Sequence, residues 1–164
     1  MTKDNKLKTK NYKMVEKVVL NIGVGRFLKD EKMLEQIIRD LSLIAGQKVI
    51  PTIAKKAIAG FKIREGIIVG YKTTLRNEKM QGFLDRLINI AFPRMRDFRG
   101  IDPKSLDQKG NLTIGIKEHI VFPETSAETA RSIFGFEATL VLNHVNNKEN
   151  ALEIYKKLGI PFKK

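Results

Sequence analysis

The segment 55–66 holds the residues of this chain best suited to binding a polyanion. It contains two glycines, the aromatic Phe61 and four cations, which are Lys55, Lys56, Lys62 and Arg64. Lysine and arginine neutralise phosphates, glycine permits close backbone approach, and an exposed ring stacks on a base or wedges against a ribose. The competing interpretation is a solvated loop with Phe61 tucked into the core. The pattern favours contact with RNA over that alternative.

A second cationic cluster lies farther along the chain. Arg94, Arg96 and Arg99 fall within six residues of one another. Guanidinium groups at this spacing suit bidentate contacts to phosphate oxygens. Asp97 lies among them and could instead pair with one of them as an internal brace. The sequence leaves both roles open.

Four polar residues stand at or beside predicted strands, namely Asn21, Gln47, Thr73 and Thr74. Their side chains could form hydrogen bonds with ribose 2′-hydroxyl groups and base edges. From spacing alone, ordinary roles in turns and caps are the better explanation.

The groupings expected of an enzyme are missing from the sequence. It has no cysteine, which excludes disulfides, thiolate zinc sites and cysteine nucleophiles. A dinucleotide motif opened by Gly23 and Gly25 would need its third glycine where Leu28 stands, and no Gly-Lys-Ser/Thr phosphate loop occurs. The two histidines, His119 and His144, favour packing or surface roles over metal binding. We therefore predict no catalysis, no cofactor and no metal site.

The charge of the chain is strongly positive. Lysine and arginine total 31 against 18 acidic residues, a net charge of +13 with a pI near 10.0. Residues 1–30 hold eight basic and three acidic side chains, and residues 48–76 hold seven and one. Residues 124–153 reverse the balance, with two basic and five acidic side chains. The basic regions indicate a nucleic acid partner, and the acidic region indicates solvent or a basic protein.

Apolar spacing predicts the elements that position these residues. A run rich in β-branched residues predicts a strand over 16–22, and a one-sided apolar pattern predicts a helix over 30–45, closed by Gly46. Further strands are expected over 48–54, 66–75, 111–121 and 137–142. Further helices are expected over 77–91, 124–132 and 147–158.

Individual residues mark the limits of these elements. Pro51 indicates an edge strand or a bulge, because proline cannot donate a ladder hydrogen bond. Asn77 and Asn146 are the expected N-caps, the latter in a capping box with Glu149. Pro93 is expected to end the second helix, and Gly159 with Pro161 the last one.

These elements predict an α+β fold, a two-layer domain in which helices pack on one face of an antiparallel sheet. The chain would form a single domain over 1–164, with 1–13 as a flexible basic tail. The other sheet face would stay free, and a free face with basic edges is a good platform for RNA. No segment has the apolar length of a bilayer span and no secretory signal is apparent, so we expect no membrane contact and a cytoplasmic location, with an organellar ribosome as the alternative.

The sequence resembles the bacterial-type L-five family of large-subunit ribosomal proteins. Matching stretches include EKVVLNIGVG at 16–25, IAGQK at 44–48, AKKAIAGFKIREG at 54–66 and PRMRDFRG at 93–100. Others cover 74–76, 110–118, 122–124 and 159–162, so the matches follow the family order along nearly the whole chain. Ile53, Ile68 and Leu112 depart from the family pattern, which usually has arginine, proline and tyrosine there.

The resemblance implies a structural, non-enzymatic part of the large ribosomal subunit that binds 5S rRNA in the central protuberance. Its partners would include large-subunit rRNA and neighbouring large-subunit proteins. On the family pattern, Asn21, Gln47 and Thr74 match positions that touch 5S rRNA, and we predict Thr73, Arg76, Arg94, Arg96 and Arg99 as further rRNA-binding residues. The loop carrying Lys55, Lys56, Phe61, Lys62 and Arg64 would contact P-site tRNA. The region after Phe122 would face a small-subunit head protein across the intersubunit bridge.

Two other functional classes compete with this hypothesis. An RNA-modifying or nucleotide-using enzyme would need a phosphate loop or a catalytic cluster, which the sequence does not show. An RNA chaperone without a fixed target would lack selectivity for 5S rRNA over tRNA and unrelated stem-loops.

Overall fold

The computed structural model describes residues 12, 14–28, 30–61, 63–125, 132–145 and 147–163. They contain a five-stranded antiparallel sheet in the order β2-β3-β1-β5-β4. The strands are β1 (Val15–Gly23), β2 (Ile50–Ile53), β3 (Ile68–Leu75), β4 (Leu112–Ile116) and β5 (Phe136–Leu142). The helices are α1 (Glu31–Ala45), α2 (Asn77–Arg86), α3 (Phe92–Arg94) and α4 (Lys148–Lys157), with a π-helical turn at Leu87–Ala91 joining α2 to α3. The predicted α+β fold is confirmed.

The sheet buries one face against the helices and leaves the other open. In β1, Leu20 and Ile22 are buried, whereas Asn21 between them is exposed. This alternation follows from the pleat, which turns successive side chains to opposite faces of a strand. The helices contribute Ile37, Leu41, Phe83, Leu84 and Tyr155 to the same core. The open face is therefore held flat by a packed layer behind it.

Helix α1 and the edge strand β2 follow the sequence closely. The carboxylate of Asp30 accepts a hydrogen bond from the backbone N–H of Met33 at 3.1 Å and caps the start of α1. Gly46 ends α1 with a φ of 65°, the left-handed conformation that glycine adopts without strain. Pro51 lies in β2 at the edge of the sheet, and the β2–β3 register shifts beside it between Thr52 and Ile53.

Pro93 does not end the second helix where the sequence predicted, because the turn before it is widened. Proline usually breaks a helix, since it lacks an N–H and its ring crowds the carbonyl four residues earlier. Here the N–H of Phe92 donates to the carbonyl of Leu87, five residues back, in a π-helical turn. The helical path continues through Pro93 and ends at Arg94, because Met95 is extended.

The predicted strand over 111–121 is wrong in its second half. Strand β4 ends at Ile116, and His119–Val121 forms a 3-10 turn. The backbone N–H of His119 donates to the carbonyl of Phe134 at 2.9 Å, which anchors this turn beside the sheet. The apolar run after Lys117 is therefore buried by packing and not by strand pairing.

Two helix-start predictions also change, and a third falls largely outside the described residues. Asn77 is the first residue of α2, with a φ of 50°, and Arg76 precedes it without a side-chain cap. Asn147 caps α4 by accepting from the backbone N–H of Glu149 at 3.0 Å, whereas Asn146 lies outside the described residues. The predicted helix over 124–132 lies largely outside them too, and its described start is a turn.

The predicted flexible tail does not extend as far as Tyr12. The ring of Tyr12 is buried, and its hydroxyl donates to the carboxylate of Asp85 at 2.7 Å. Burial, followed by the hydrogen bond to Asp85, raises the pKa of Tyr12. The rest of 1–13 lies outside the described residues.

Candidate nucleic-acid interface

Two rows of side chains run across the open face of the sheet. One row joins Thr74, Val19, Thr139 and Thr113 through the register of β3, β1, β5 and β4. The hydroxyl oxygens of Thr113 and Thr139 lie 3.1 Å apart. The strip consists of three threonines and one valine, and hydroxyl groups both donate and accept hydrogen bonds. Such an uncharged strip of short side chains can lie against ribose and base edges.

The neighbouring row carries charge at separate points. It joins Lys72, Asn21, Glu137 and Gly115 in the same register. Asn21, Lys72 and Glu137 are exposed, and no ion pair joins Glu137 to another described residue. A lysine can reach a phosphate, whereas a carboxylate repels phosphates but accepts from 2′-hydroxyl or base amino groups. This row is therefore better suited to folded RNA, which presents riboses and base edges, than to a surface of phosphates alone.

Gly115 is a glycine that the fold itself does not require. Its φ is not in the left-handed region, and a Cβ placed there would have no atom within 4 Å. Glycine weakens a strand and often marks a point where another backbone or a ligand comes close. Gly115 lines an open depression of about 540 Å³ together with Asn21, Gly23 and Glu137. The depression gives the open face room for a close approach.

Gln47 connects the end of α1 to this face. Its amide nitrogen donates to the hydroxyl of Thr73 at 2.7 Å and to the carbonyl of Thr74 at 2.8 Å. Thr73 is only 2% exposed and points toward the helices, whereas Thr74 is exposed on the open face. Thr73 therefore has no surface for a direct RNA contact and instead positions Gln47. The structure brings Gln47, Asn21 and Thr74 to one region of the sheet, as predicted for the site, and removes Thr73 from it.

Arg76 lies just beyond β3, beside the start of β1. Its guanidinium donates to the carboxylate of Glu16 at 3.2 Å, and the same carboxylate lies 3.3 Å from the Lys17 ammonium. The hydrogen bond from Arg76 is the main cause of a lowered pKa of Glu16. Exposed pairs of this kind contribute little to stability. Their effect is to hold two cations at one end of the open face.

The segment 55–66 is a projecting hairpin that extends β2 and β3. The Ala54 N–H donates to the Ile67 carbonyl at 2.8 Å, and the Ile58 N–H donates to the Ile63 carbonyl at 2.9 Å. A 3-10 turn at Ala59–Phe61 forms the tip. The ring of Phe61 is 76% exposed, which excludes the alternative that it is tucked into the core.

The hairpin carries exposed cations on both of its strands. Lys55, Lys56 and Arg64 are exposed, and Lys62 lies outside the described residues. Two departures from the family pattern meet at the base of the hairpin, because Ile53 and Ile68 are cross-strand partners, 59% and 37% exposed. The substitutions at these positions are therefore adjacent in space.

The arginine loop, defined here as residues 94–99, begins at the last residue of α3 and shares no residue with the strands of the sheet. Arg94, Arg96 and Arg99 are all exposed. Within the described part of the chain no ion pair links Asp97 to any of them. The internal brace is thus not formed, and all three guanidinium groups are available to a partner.

A buried polar cluster near α1 was not predicted. His119 is fully buried, with its Nε2 atom 3.4 Å from the Asp40 carboxylate and its Nδ1 atom accepting from the Phe134 N–H at 3.3 Å. Burial lowers the pKa of His119, and Asp40 partly opposes that shift. The Phe134 ring stacks on the imidazole of His119, with the two ring centroids 3.9 Å apart. His119 has the packing role that the sequence favoured.

The described residues lack a cluster of metal-binding side chains and a helix that could span a membrane. They contain no group of three or more His, Cys, Asp or Glu side chains that could hold a metal ion. Among them, no helix combines the length and apolar character that crossing a bilayer requires. A cationic domain with an open, polar sheet face and a projecting hairpin belongs to the class of RNA-binding α+β proteins.

Comparison with known proteins identifies the family within that class. The family model described as "Ribosomal protein L5" matches residues 14–64, and the model of the C-terminus of the same ribosomal family matches residues 68–162. The chain belongs to the ribosomal protein L5 family.

Several relatives are each named "Large ribosomal subunit protein uL5". That of Halothermothrix orenii is 48% identical over 90% of this chain and 82% of its own length. That of Lacticaseibacillus casei is 44% identical over 100% of this chain and 91% of its own length. A relative from Paulinella chromatophora, named "Large ribosomal subunit protein uL5c", is 49% identical over 91% of this chain and 83% of its own length.

Membership of this family settles the coarse function. The chain is a structural, non-enzymatic constituent of the large ribosomal subunit, with rRNA and other ribosomal proteins as its partners. Its place in the ribosome agrees with the predicted cytoplasmic location. Sequence reasoning missed Lys72 and Glu137, which pair with Asn21, and Gly115 and Thr139, which lie in the same two rows of the open face. The alternation in β3, β4 and β5 was the signal that could have identified them.

Proposed function

We propose that this chain binds 5S rRNA through the open face of its sheet, in the central protuberance of the large subunit. The observation that carries the proposal is the uncharged Thr74–Val19–Thr139–Thr113 strip, bordered by Asn21, Lys72 and Glu137. Folded RNA is recognised through shape, ribose hydroxyls and base edges, and this face offers hydroxyl, amide and carboxylate groups at fixed positions. Gln47 and Arg76 extend the contact at the rim.

Filter binding with 5S rRNA tests this proposal. Changing Asn21 and Thr74 to Ala weakens binding but leaves its salt dependence nearly unchanged, because neither side chain is charged. Changing Lys72 to Ala weakens binding and, because it removes a charge, also lowers the salt slope. A large fall in the slope for the uncharged pair would contradict the assignment, and equal binding of tRNA and unrelated stem-loops would favour an RNA chaperone instead.

We further propose that the projecting hairpin contacts P-site tRNA. The proposal is supported by the exposed ring of Phe61 at the tip and by the exposed side chains of Lys55, Lys56 and Arg64 in the same hairpin. Changing Lys55, Lys56, Lys62 and Arg64 together to Ala weakens contact with tRNA and leaves 5S rRNA binding intact. Equal losses of both would contradict this division between hairpin and sheet.

The arginine loop is proposed as a further rRNA contact, made by Arg94, Arg96 and Arg99.

The region after Phe122 is proposed to face a small-subunit head protein, because residues 124–153 carry five acidic and two basic side chains. Changing Glu149 and Glu153 to Gln should weaken subunit joining. Sedimentation of reconstituted subunits measures this effect. Unchanged joining would place the bridge contact elsewhere.

A further inference from the structure

A groove of about 520 Å³, lined mainly by apolar side chains, lies beside the arginine loop. Its described walls are formed by Ile88, Phe92, Pro93, Met95, Phe98, Arg99, Gly100, Gly159, Pro161 and Phe162. None of these residues belongs to a strand of the sheet. The groove is therefore a different surface from the open face, and its volume falls in the range of small-ligand sites.

The walls of the groove are fixed by the fold. The rings of Phe92 and Phe98 stack with centroids 4.9 Å apart and planes inclined by 6°. On the opposite wall the Ile101 N–H donates to the Pro161 carbonyl at 2.8 Å, and the Lys163 N–H donates to the Ile101 carbonyl at 2.9 Å. The C-terminal segment is thus tied to the end of the arginine loop, and the groove is formed before any partner arrives.

Gly100 shows how closely these two walls meet. Its φ is 97°, and a Cβ placed there would lie 2.7 Å from the backbone carbon of Phe162. Only glycine fits this position, in both conformation and space. The close approach keeps the Arg99 side of the groove and the Phe162 side at a set separation.

The side chains that line the groove are apolar apart from Arg99, and backbone atoms add polar surface between them. Its described walls contain no carboxylate, and Arg99 is itself a wall residue. Arg94 and Arg96 are exposed nearby, and neither pairs with Asp97 among the described residues. The best complement is a ligand with a flat apolar part beside an anionic part. A nucleotide has this form, since its base is flat and its phosphate is anionic.

We propose that this groove receives one unstacked nucleotide of rRNA, with the base against Phe98 and Pro161 and the phosphate on Arg96 and Arg99. The proposal rests on the arginine loop facing RNA and adds that a base enters beside it. It would give the protein a second RNA contact, separate from the sheet. An acidic peptide with an aromatic residue is the competing occupant.

The test uses a five-nucleotide RNA with 2-aminopurine at its centre, because the fluorescence of this base responds to stacking. The same RNA with an abasic central nucleotide is the matched probe. We expect the abasic RNA to bind on the order of tenfold more weakly, as loss of one stacked base predicts. Pro161→Asp should abolish the fluorescence change, and a thermal melt of that variant checks that it folds.

Charge is tested separately from the base. Arg96→Gln with Arg99→Gln should lower the salt slope of binding by about 0.7 for each phosphate that the protein no longer neutralises. Lys32→Gln with Lys148→Gln removes the same charge far from the groove in sequence and should leave binding unchanged. Repeating the titration with Asn21→Ala and Lys72→Ala excludes binding at the open face.

The outcomes separate this proposal from the proposed rRNA contact of the loop. Equal binding of the normal and abasic RNAs, with weaker binding by the arginine variant, would overturn the nucleotide site and leave the phosphate contact standing. Base-dependent binding that is unaffected in the arginine variant would contradict the phosphate contact instead. Displacement of the RNA by an acetylated Glu-Phe-Glu-Glu peptide of higher affinity would assign the groove to an acidic protein segment.

Discussion

Replacing Gly115 by Ala should make the protein slightly more stable and a weaker binder of 5S rRNA. The gain in stability arises in the unfolded chain, whereas the loss of affinity arises in the complex with RNA. The added methyl group meets no atom of the chain within 4 Å, and the φ of Gly115 is not in the left-handed region. It therefore projects from the open face into the space assigned to RNA.

Each effect has a magnitude. Replacing glycine by alanine at a compatible position restricts the unfolded chain and stabilises by roughly 0.4–1 kcal/mol. If RNA contacts the backbone at Gly115, the methyl group overpacks that contact, which typically costs about 1–3 kcal/mol. Since every 1.4 kcal/mol is tenfold in affinity, the dissociation constant should rise roughly 5- to 150-fold.

The assay combines urea unfolding with filter binding to 5S rRNA at one salt concentration. Gly60→Ala is the matched control, because a Cβ at Gly60 also meets nothing within 4 Å but lies at the hairpin tip. It should leave 5S binding unchanged. If Gly115→Ala bound 5S rRNA as tightly as the unaltered protein, RNA would not come within contact distance of this part of the sheet.

Three further predictions concern the core and the hairpin. Tyr155→Phe removes a buried hydroxyl that donates to the Leu140 carbonyl at 2.9 Å, and should lower the free energy of unfolding by about 1–2 kcal/mol in urea titrations. Because burial lowers the pKa of His119 below its ordinary value of 6.5, the unfolded chain binds this proton first, and stability should fall as pH drops below 6.5. His119→Gln should flatten that slope, which is at most about 1.4 kcal/mol per pH unit. Phe61→Ala should change stability by less than about 0.5 kcal/mol and leave 5S binding intact, yet weaken tRNA cross-linking to reconstituted subunits.

Much of the fold was predictable because its signals are local. The apolar spacing of α1, the cap at Gly46 and the edge position of Pro51 each depend on a few neighbouring residues. Pro93 was misjudged because the π-helical turn before it is a tertiary accommodation that proline's usual behaviour does not reveal. The strand ending at Ile116 was overextended because buried apolar residues look alike in a strand and in a packed turn.

The candidate site was predictable only in part, because it depends on register between distant strands. Asn21 meets Lys72 and Glu137 only through pairing with β3 and β5, which no single segment encodes. Thr73 and Thr74 were both assigned to the site, although adjacent strand residues face opposite ways. The apolar neighbours Tyr71 and Leu75 already indicated that Thr73 belongs to the buried face.

Because the chain has no cysteine, single cysteines can report directly on which surface 5S rRNA covers. Thr139→Cys places a thiol at the centre of the open face, and Leu43→Cys places one on α1, where Leu43 is 49% exposed. The measurement is the rate of alkylation of each variant with and without 5S rRNA. Binding through the sheet predicts slower alkylation of the Thr139 variant and no change for the Leu43 variant. Protection at Leu43 with none at Thr139 would contradict the assignment of the open face as the RNA-binding surface.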